Sequence, residues 1–232
     1  MVLIRYLLPV VACLLIGACS SALRWMPEAH VVQSGETVYS IAFRYGIDQR
    51  DLIGWNKLSA SGLIFEGQRL RLTAPDSYTA ASSASRATGR HKSASSTQRA
   101  PTPGKSAAVP VTWKWPVNGA VIAMFGATAK TQSGVHIAGK RGQPVHAAAS
   151  GEVVYAGSGL PGYGQLLIIK HTSNYLSAYG HNQKLVVGEG DRVKGGQLIA
   201  KMGEGPSKRP LLHFEIRRSG KPVNPLRYLP KQ

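Results

Sequence analysis

The chain has 232 residues, 43% of them hydrophobic, with a formal net charge of +17 and an isoelectric point near 10.2. This length allows one or two domains. The basic balance attracts polyanions in general, yet no RNP, zinc-finger or helix-turn-helix pattern is present, so nucleic acid is not an expected partner. Its two cysteines, Cys13 and Cys19, both lie in the first 19 residues, which excludes a disulfide framework for residues 20–232.

Residues 1–18 read as a processing segment. Arg5 supplies a positive start, Tyr6 to Ile16 an apolar run, and Ile16-Gly17-Ala18-Cys19 an ending of small residues. The run is too short to cross a bilayer as a stable helix. The ending resembles a bacterial lipobox, in which the signal is cut before Cys19 and that cysteine is acylated; several acyl chains give stable anchoring where one does not. An ordinary signal peptide with an incidental cysteine is the other reading. Ser20, where an Asp would signal retention, resembles an outer-membrane destination. Residues 19–29 form the lipidated start and a spacer.

Residues 30–72 predict a small α+β unit. Val38, Ile41, Ala42 and Tyr45 fall at helical spacing and make one buried face. Asp48 and Asp51 suit the start of a second helix, with acids at its positive end. Leu52, Ile53 and Trp55 add core, and Gln68 to Leu72 alternates as a strand does. The segments His30-Val31-Val32-Gln33-Ser34-Gly35-Glu36-Thr37, Tyr45-Gly46, Trp55-Asn56 and Glu66-Gly67-Gln68-Arg69-Leu70 resemble a LysM module, a βααβ unit that binds N-acetylglucosamine-containing glycans. The resemblance places glycan between the Ser34, Gly35, Glu36, Thr37 loop and the Leu63, Ile64, Phe65, Glu66 loop. Turn chemistry is the competing account of these residues, above all of Gly35, whose backbone freedom alone could require it. The module is expected to bind peptidoglycan by itself.

Residues 73–110 are a linker dominated by Ala, Ser, Thr, Pro and Gly, with Tyr78 and Val109 its only large apolar side chains. Such a segment cannot offset its ordering entropy and is expected to be disordered. Its reach is roughly 35 Å r.m.s..

Residues 111–232 carry 16 basic and 5 acidic residues, +11 of the total charge. Short segments rich in Val, Ile, Leu and Tyr, at 151–157, 164–172, 175–182, 191–203 and 211–218, alternate with glycine breaks and predict an all-β domain. Ser219-Gly220 before Lys221 reads as a tight turn.

Gly134-Val135-His136-Ile137, Gly162-Tyr163-Gly164, Tyr179-Gly180-His181-Asn182 and Leu211-Leu212-His213-Phe214-Glu215 follow in the order and spacing of the LytM (lysostaphin-type) zinc endopeptidases. A hydrolytic zinc site needs three protein ligands and an open position for water. The resemblance aligns the family's five metal and catalytic positions with Gln132, His136, His181, Leu211 and His213. Gln132 is a poor ligand, His136 stands where the family has Asp, and Leu211 has no lone pair. Only His181 and His213 are retained, which reads as a peptidase fold without its metal or catalytic set, and no cofactor is expected. A histidine on a strand is more often a hydrogen-bonded structural residue than a ligand, and that reading stands beside the first. His30, His91, His146 and His171 receive no functional reading.

Lipobox, LysM module, linker and degenerate LytM domain, in that order, resemble the NlpD-type murein hydrolase activators. The resemblance implies a non-catalytic lipoprotein of the outer membrane, facing the periplasm at the septum. It would bind peptidoglycan and switch on a periplasmic N-acetylmuramoyl-L-alanine amidase. An abandoned groove carrying Tyr163, Tyr179, His181, Leu211, His213 and Arg217 would hold the amidase. Two other classes stay open: a zinc endopeptidase using His136 and His213, and a passive wall anchor.

Overall fold

The computed structural model describes residues 27–75, 110–128 and 132–231. The processing segment, Cys19 and linker residues 76–109 lie outside the described residues.

The first unit has the βααβ order. Strand β1 (Ala29–Val31) pairs antiparallel with β2 (Arg69–Arg71), and helices α1 (Val38–Tyr45) and α2 (Gln49–Trp55) lie between them. Thr37 starts α1 with a capping box: its hydroxyl accepts from the Ser40 amide, and the Ser40 hydroxyl accepts from the Thr37 amide. Asp48 caps α2 by accepting from the Arg50 amide, as the acid spacing predicts. Val38, Ile41 and Ala42 face Leu52, Leu70 and Leu72 to form the core. Tyr45 only borders it.

The second unit is a ten-stranded antiparallel sheet. Its strands are β3 (Val121–Ala123), β4 (Val135–Ala138), β5 (Pro144–His146), β6 (Gly151–Gly157), β7 (Gln165–Lys170), β8 (Tyr175–Leu185), β9 (Arg192–Val193), β10 (Leu198–Met202), β11 (Leu211–Arg218) and β12 (Lys221–Val223). The main path runs β3-β4-β11-β8-β7-β6-β9, with β10 bridging β5 and β8 and β12 pairing β11. The stretch 191–203 is two strands rather than one, because Gly195-Gly196 breaks it. A tight turn at Ser219-Gly220 joins β11 to β12, both residues having positive φ (47° and 74°) as a hairpin of this hand requires.

Both faces of the central sheet are buried. Val153, Leu167, Ile169, Tyr179, Phe214 and Ile216 pack with Trp113, Ile199 and Leu229 on one side. Val154, Leu166, Ile168, Leu176 and Ala178 pack with Leu160 on the other. A sheet covered on both faces needs strands apolar at successive positions, and the run Leu166-Leu167-Ile168-Ile169 in β7 is one.

Part of the cover on the second face comes from the first unit. Phe43 of α1, 2% exposed, belongs to the cluster with Val154, Leu166, Ile168 and Leu176 rather than to the core of its own module. Around it the Thr37 hydroxyl donates to the Val154 carbonyl (3.4 Å), Lys170 Nζ to the Tyr39 hydroxyl (2.9 Å), Arg44 to the Gly159 carbonyl (3.1 Å) and Gln49 to the Ser173 carbonyl (3.1 Å). A disordered linker alone would leave the two domains as independent bodies on a tether, with no structure passing between them. The structure corrects this expectation: α1 lies against the sheet face, because Phe43 is a large apolar side chain with no place in its own core.

Candidate functional site

The register of β4, β11 and β8 assembles the histidines. His213 of β11 stands directly opposite His136 of β4 and Gly180 of β8. Directly opposed residues share a sheet face, so the His136 and His213 rings meet edge to face at 5.2 Å between centroids. His181 joins them at 6.1 Å from His213 and 6.3 Å from His136. It does so through a left-handed backbone (φ 61°), uncommon for a residue with a side chain. Ser133, Gly162, Tyr163 and Pro206 complete a pocket of about 290 Å3 around the three rings. Burial, then the neighbouring His213 and His136, lower His181 to about 4, so its ring is neutral at pH 7.

A carboxylate under the pocket floor organises the rest. Glu215, fully buried, accepts from Tyr163 Oη (2.8 Å), from Arg217 Nε (2.8 Å) and from His213 Nε2 (2.9 Å). The carboxylate fixes the hydrogen on His213 Nε2 and leaves Nδ1 as the acceptor of that ring. Burial raises the Glu215 carboxyl, but the Arg217 guanidinium and His213 outweigh it and hold it near 2. Burial, then the Glu215 charge, pushes the Tyr163 phenol up to about 12. Glu215 is absent from the sequence-predicted site. Its signal is the period-two spacing of 211, 213, 215 and 217 along β11, which puts all four on the groove face.

Several predicted site residues are placed differently. Tyr179 is not on the groove: it is fully buried on the opposite, core face, where its hydroxyl accepts from the Ala148 amide (2.8 Å) and lies 2.8 Å from Ser177 Oγ. Arg217 is on the groove face but is no open rim residue. It is 4% exposed, stacked on Phe43 and bonded to the Phe43 carbonyl, because α1 covers that end of the groove. Leu211 is buried beside Gly205 rather than lining the pocket. Gln132 is exposed.

The donor set does not fit zinc. Among the described residues, no group of three His, Cys, Asp or Glu side chains is placed to hold a metal ion. Leu211 at one catalytic position and the Gln132 amide at one ligand position stand where the family supplies imidazole donors.

In the first unit the two predicted glycan loops are brought together only in part. Glu36 and Thr37 line a common cleft with Leu63 and Ile64. Ser34, Gly35, Phe65 and Glu66 stand outside it. The Glu36 carboxylate is engaged within the module, by His30 Nε2 (2.6 Å), the Gln33 amide (2.9 Å) and Arg44 (2.8 Å). Burial raises it, and the His30 and Gln33 hydrogen bonds with Arg44 outweigh burial and lower it. Gly35 has φ 73° in open space, a backbone requirement that accounts for it without a ligand.

Comparison with known proteins agrees with both units. Residues 130–225 match the model of peptidase family M23, and residues 30–73 that of the LysM domain. A lipoprotein NlpD/LppB homolog of Pseudomonas aeruginosa is 41% identical over 276 positions, covering 97% of this chain and 92% of that one. The lipoprotein YgeR of Escherichia coli is 37% identical over 229 positions, covering 94% and 90%. The murein hydrolase activator NlpD of Escherichia coli is 54% identical over 121 positions, which cover 52% of this chain and 32% of that protein. Fold and site together define a protein that joins a LysM module to an M23 peptidase fold lacking a metal-binding donor set among its described residues. More particularly, the chain belongs to the NlpD/LppB lipoprotein family.

Proposed function

We propose that this protein is a non-catalytic activator of a periplasmic N-acetylmuramoyl-L-alanine amidase, bound to peptidoglycan and anchored in the outer membrane through an acylated Cys19, at the septum. The observation that carries the reading is the state of the pocket. The groove of a peptidase persists around Tyr163, His181 and His213, while Leu211 and Gln132 occupy positions that would have to supply donors. A groove shaped for an extended peptide and relieved of chemistry is suited to holding a segment of another protein. The matched relative named a murein hydrolase activator aligns over 121 residues, about the length of the β domain. The basic surface of that domain speeds encounter with an acidic segment on the amidase. Binding need only favour the conformation in which that segment leaves the amidase's own metal.

The test is release of soluble fragments from dye-labelled peptidoglycan by a purified amidase of the same organism, with and without this protein. Acceleration by the protein, and no release by the protein alone, is the expected result. Release by the protein alone, inhibited by chelators, would establish the zinc endopeptidase reading. Sedimentation with wall sacculi but no effect on any amidase would establish the passive anchor.

A further inference from the structure

The cleft between residues 36–39 and 61–64 is not closed by the LysM module. Its remaining wall is Glu152, Val153 and Val154 of β6, with Glu189 and Gly190 from the loop before β9, all in the other domain; the whole encloses about 370 Å3, within the range of small-molecule sites. Thr37 ties the two walls together, since its hydroxyl caps α1 and also donates to the Val154 carbonyl.

The chemistry of this cleft is unlike that of the rest of the domain. Residues 111–232 hold 16 basic and 5 acidic side chains, and two of the five acids stand here. Neither Glu152 nor Glu189 forms an ion pair with the described residues. Both are exposed, and among the described residues Glu189 accepts from the Ala156 amide (3.1 Å). Facing them is an apolar platform, with Leu63 62% exposed and Ile64 beside it. Carboxylates disfavour an anionic ligand and accept hydrogen bonds from hydroxyl and amide N–H groups, the strong charge-assisted kind. An apolar platform opposite acceptors suits the C–H face of a pyranose.

We propose that the glycan site of this protein is composite: the β domain supplies its second wall through Glu152 and Glu189, and a neutral N-acetylated sugar strand is held between the two domains. The ligand contacts α1, the 61–64 loop and β6 at once. By linkage it therefore stabilises the docked arrangement, and docking tightens its binding. This inference rests on the peptidoglycan-binding reading of the LysM module, and it replaces the expectation that the module binds fully by itself.

The probe is a soluble N-acetylglucosamine tetramer titrated by calorimetry into the full-length protein in detergent. The unaltered protein binds, and binding raises its melting temperature. The Glu152→Ala/Glu189→Ala double variant, with an unchanged melting temperature of its own, binds at least fivefold more weakly; should the double variant melt early, Glu152→Ala alone decides the point. Leu63→Ala, inside the module, also weakens binding. Full binding by the glutamate variants alongside a loss in Leu63→Ala overturns the composite site and leaves the module's glycan reading intact. No binding by the unaltered protein overturns both.

Discussion

The guanidinium of Arg217 lies 3.3 Å from the centre of the Phe43 ring and donates to the Phe43 carbonyl, while its Nε holds the buried Glu215 carboxylate. A single β11 side chain thus joins the LysM helix to the carboxylate that orients His213. Stacking of a desolvated guanidinium on an aromatic face contributes on the order of 2 kcal/mol. Arg217→Glu places a second carboxylate against Glu215 in a buried site, and breaking such a pair costs roughly 3–5 kcal/mol. The expected outcome is a large fall in melting temperature. A folded variant with an unchanged melting temperature would contradict the burial of Arg217 against Phe43 and Glu215. Arg217 is accordingly unsuited to a surface test of amidase binding.

Gly220 gives an independent test of domain contact. Its φ is 74°, and a Cβ added there would collide with the Ile47 carbonyl across the interface. Gly220→Ala is therefore expected to lose about 1 kcal/mol from backbone strain and also to separate the domains. Small-angle scattering should show a larger radius of gyration for the variant. Equal radii would mean that Ile47 and Gly220 are not in contact in solution.

The groove itself is tested at positions whose change leaves the core alone. Ser133 and Pro206 line the pocket, Pro206 exposed and Ser133 half-buried. Ser133→Glu/Pro206→Glu is expected to keep the melting temperature within about 2 °C, as surface changes usually do. It should also lower amidase activation at least tenfold. Full activation by the folded double variant would place the activating surface elsewhere.

Gln132→His and His136→Asp, with the retained His213, rebuild the three-ligand set, and Leu211→His rebuilds the catalytic position; the triple change should restore metal binding. The unaltered protein should carry no stoichiometric zinc by elemental analysis, and the triple variant should gain it. Glu215 already holds His213 Nε2, the kind of outer contact that orients a ligating imidazole. One zinc per unaltered chain would overturn the reading of the donor set.

His171 sets a pH dependence of stability unrelated to function. Its Nδ1 lies 2.8 Å from the Ser150 carbonyl and therefore carries the hydrogen, leaving Nε2 to accept from Ser177 Oγ at 2.7 Å. Trp113 packs against the ring at 4.9 Å. Burial lowers its pKa from 6.5 to about 4, outweighing the opposing Ser150 contact. The unfolded chain therefore binds more protons between these values, and the associated stability, complete above pH 6.5, is lost as pH falls toward 4. His171→Gln is expected to flatten the fall in melting temperature across that window. An unchanged slope would assign the acid sensitivity to other groups.

The local chemistry of the chain was legible in order. The helical spacing of Val38, Ile41 and Ala42, the Asp48 cap, the strands at 151–157 and 211–218 and the turn at Ser219-Gly220 all depend on neighbours in sequence. So does the loss of donors at Leu211, since a leucine cannot ligate in any fold. Tertiary structure alone decided which faces became interior. Period-two alternation puts Tyr179 and His181 on one face, but the left-handed backbone at His181 breaks the alternation, sending Tyr179 to the core and His181 to the groove. Arg217 and Phe43 both look like exposed residues when read within their own elements. They are buried because α1 packs on the sheet face and brings Phe43 onto Arg217, a contact between positions 174 residues apart that no local pattern encodes.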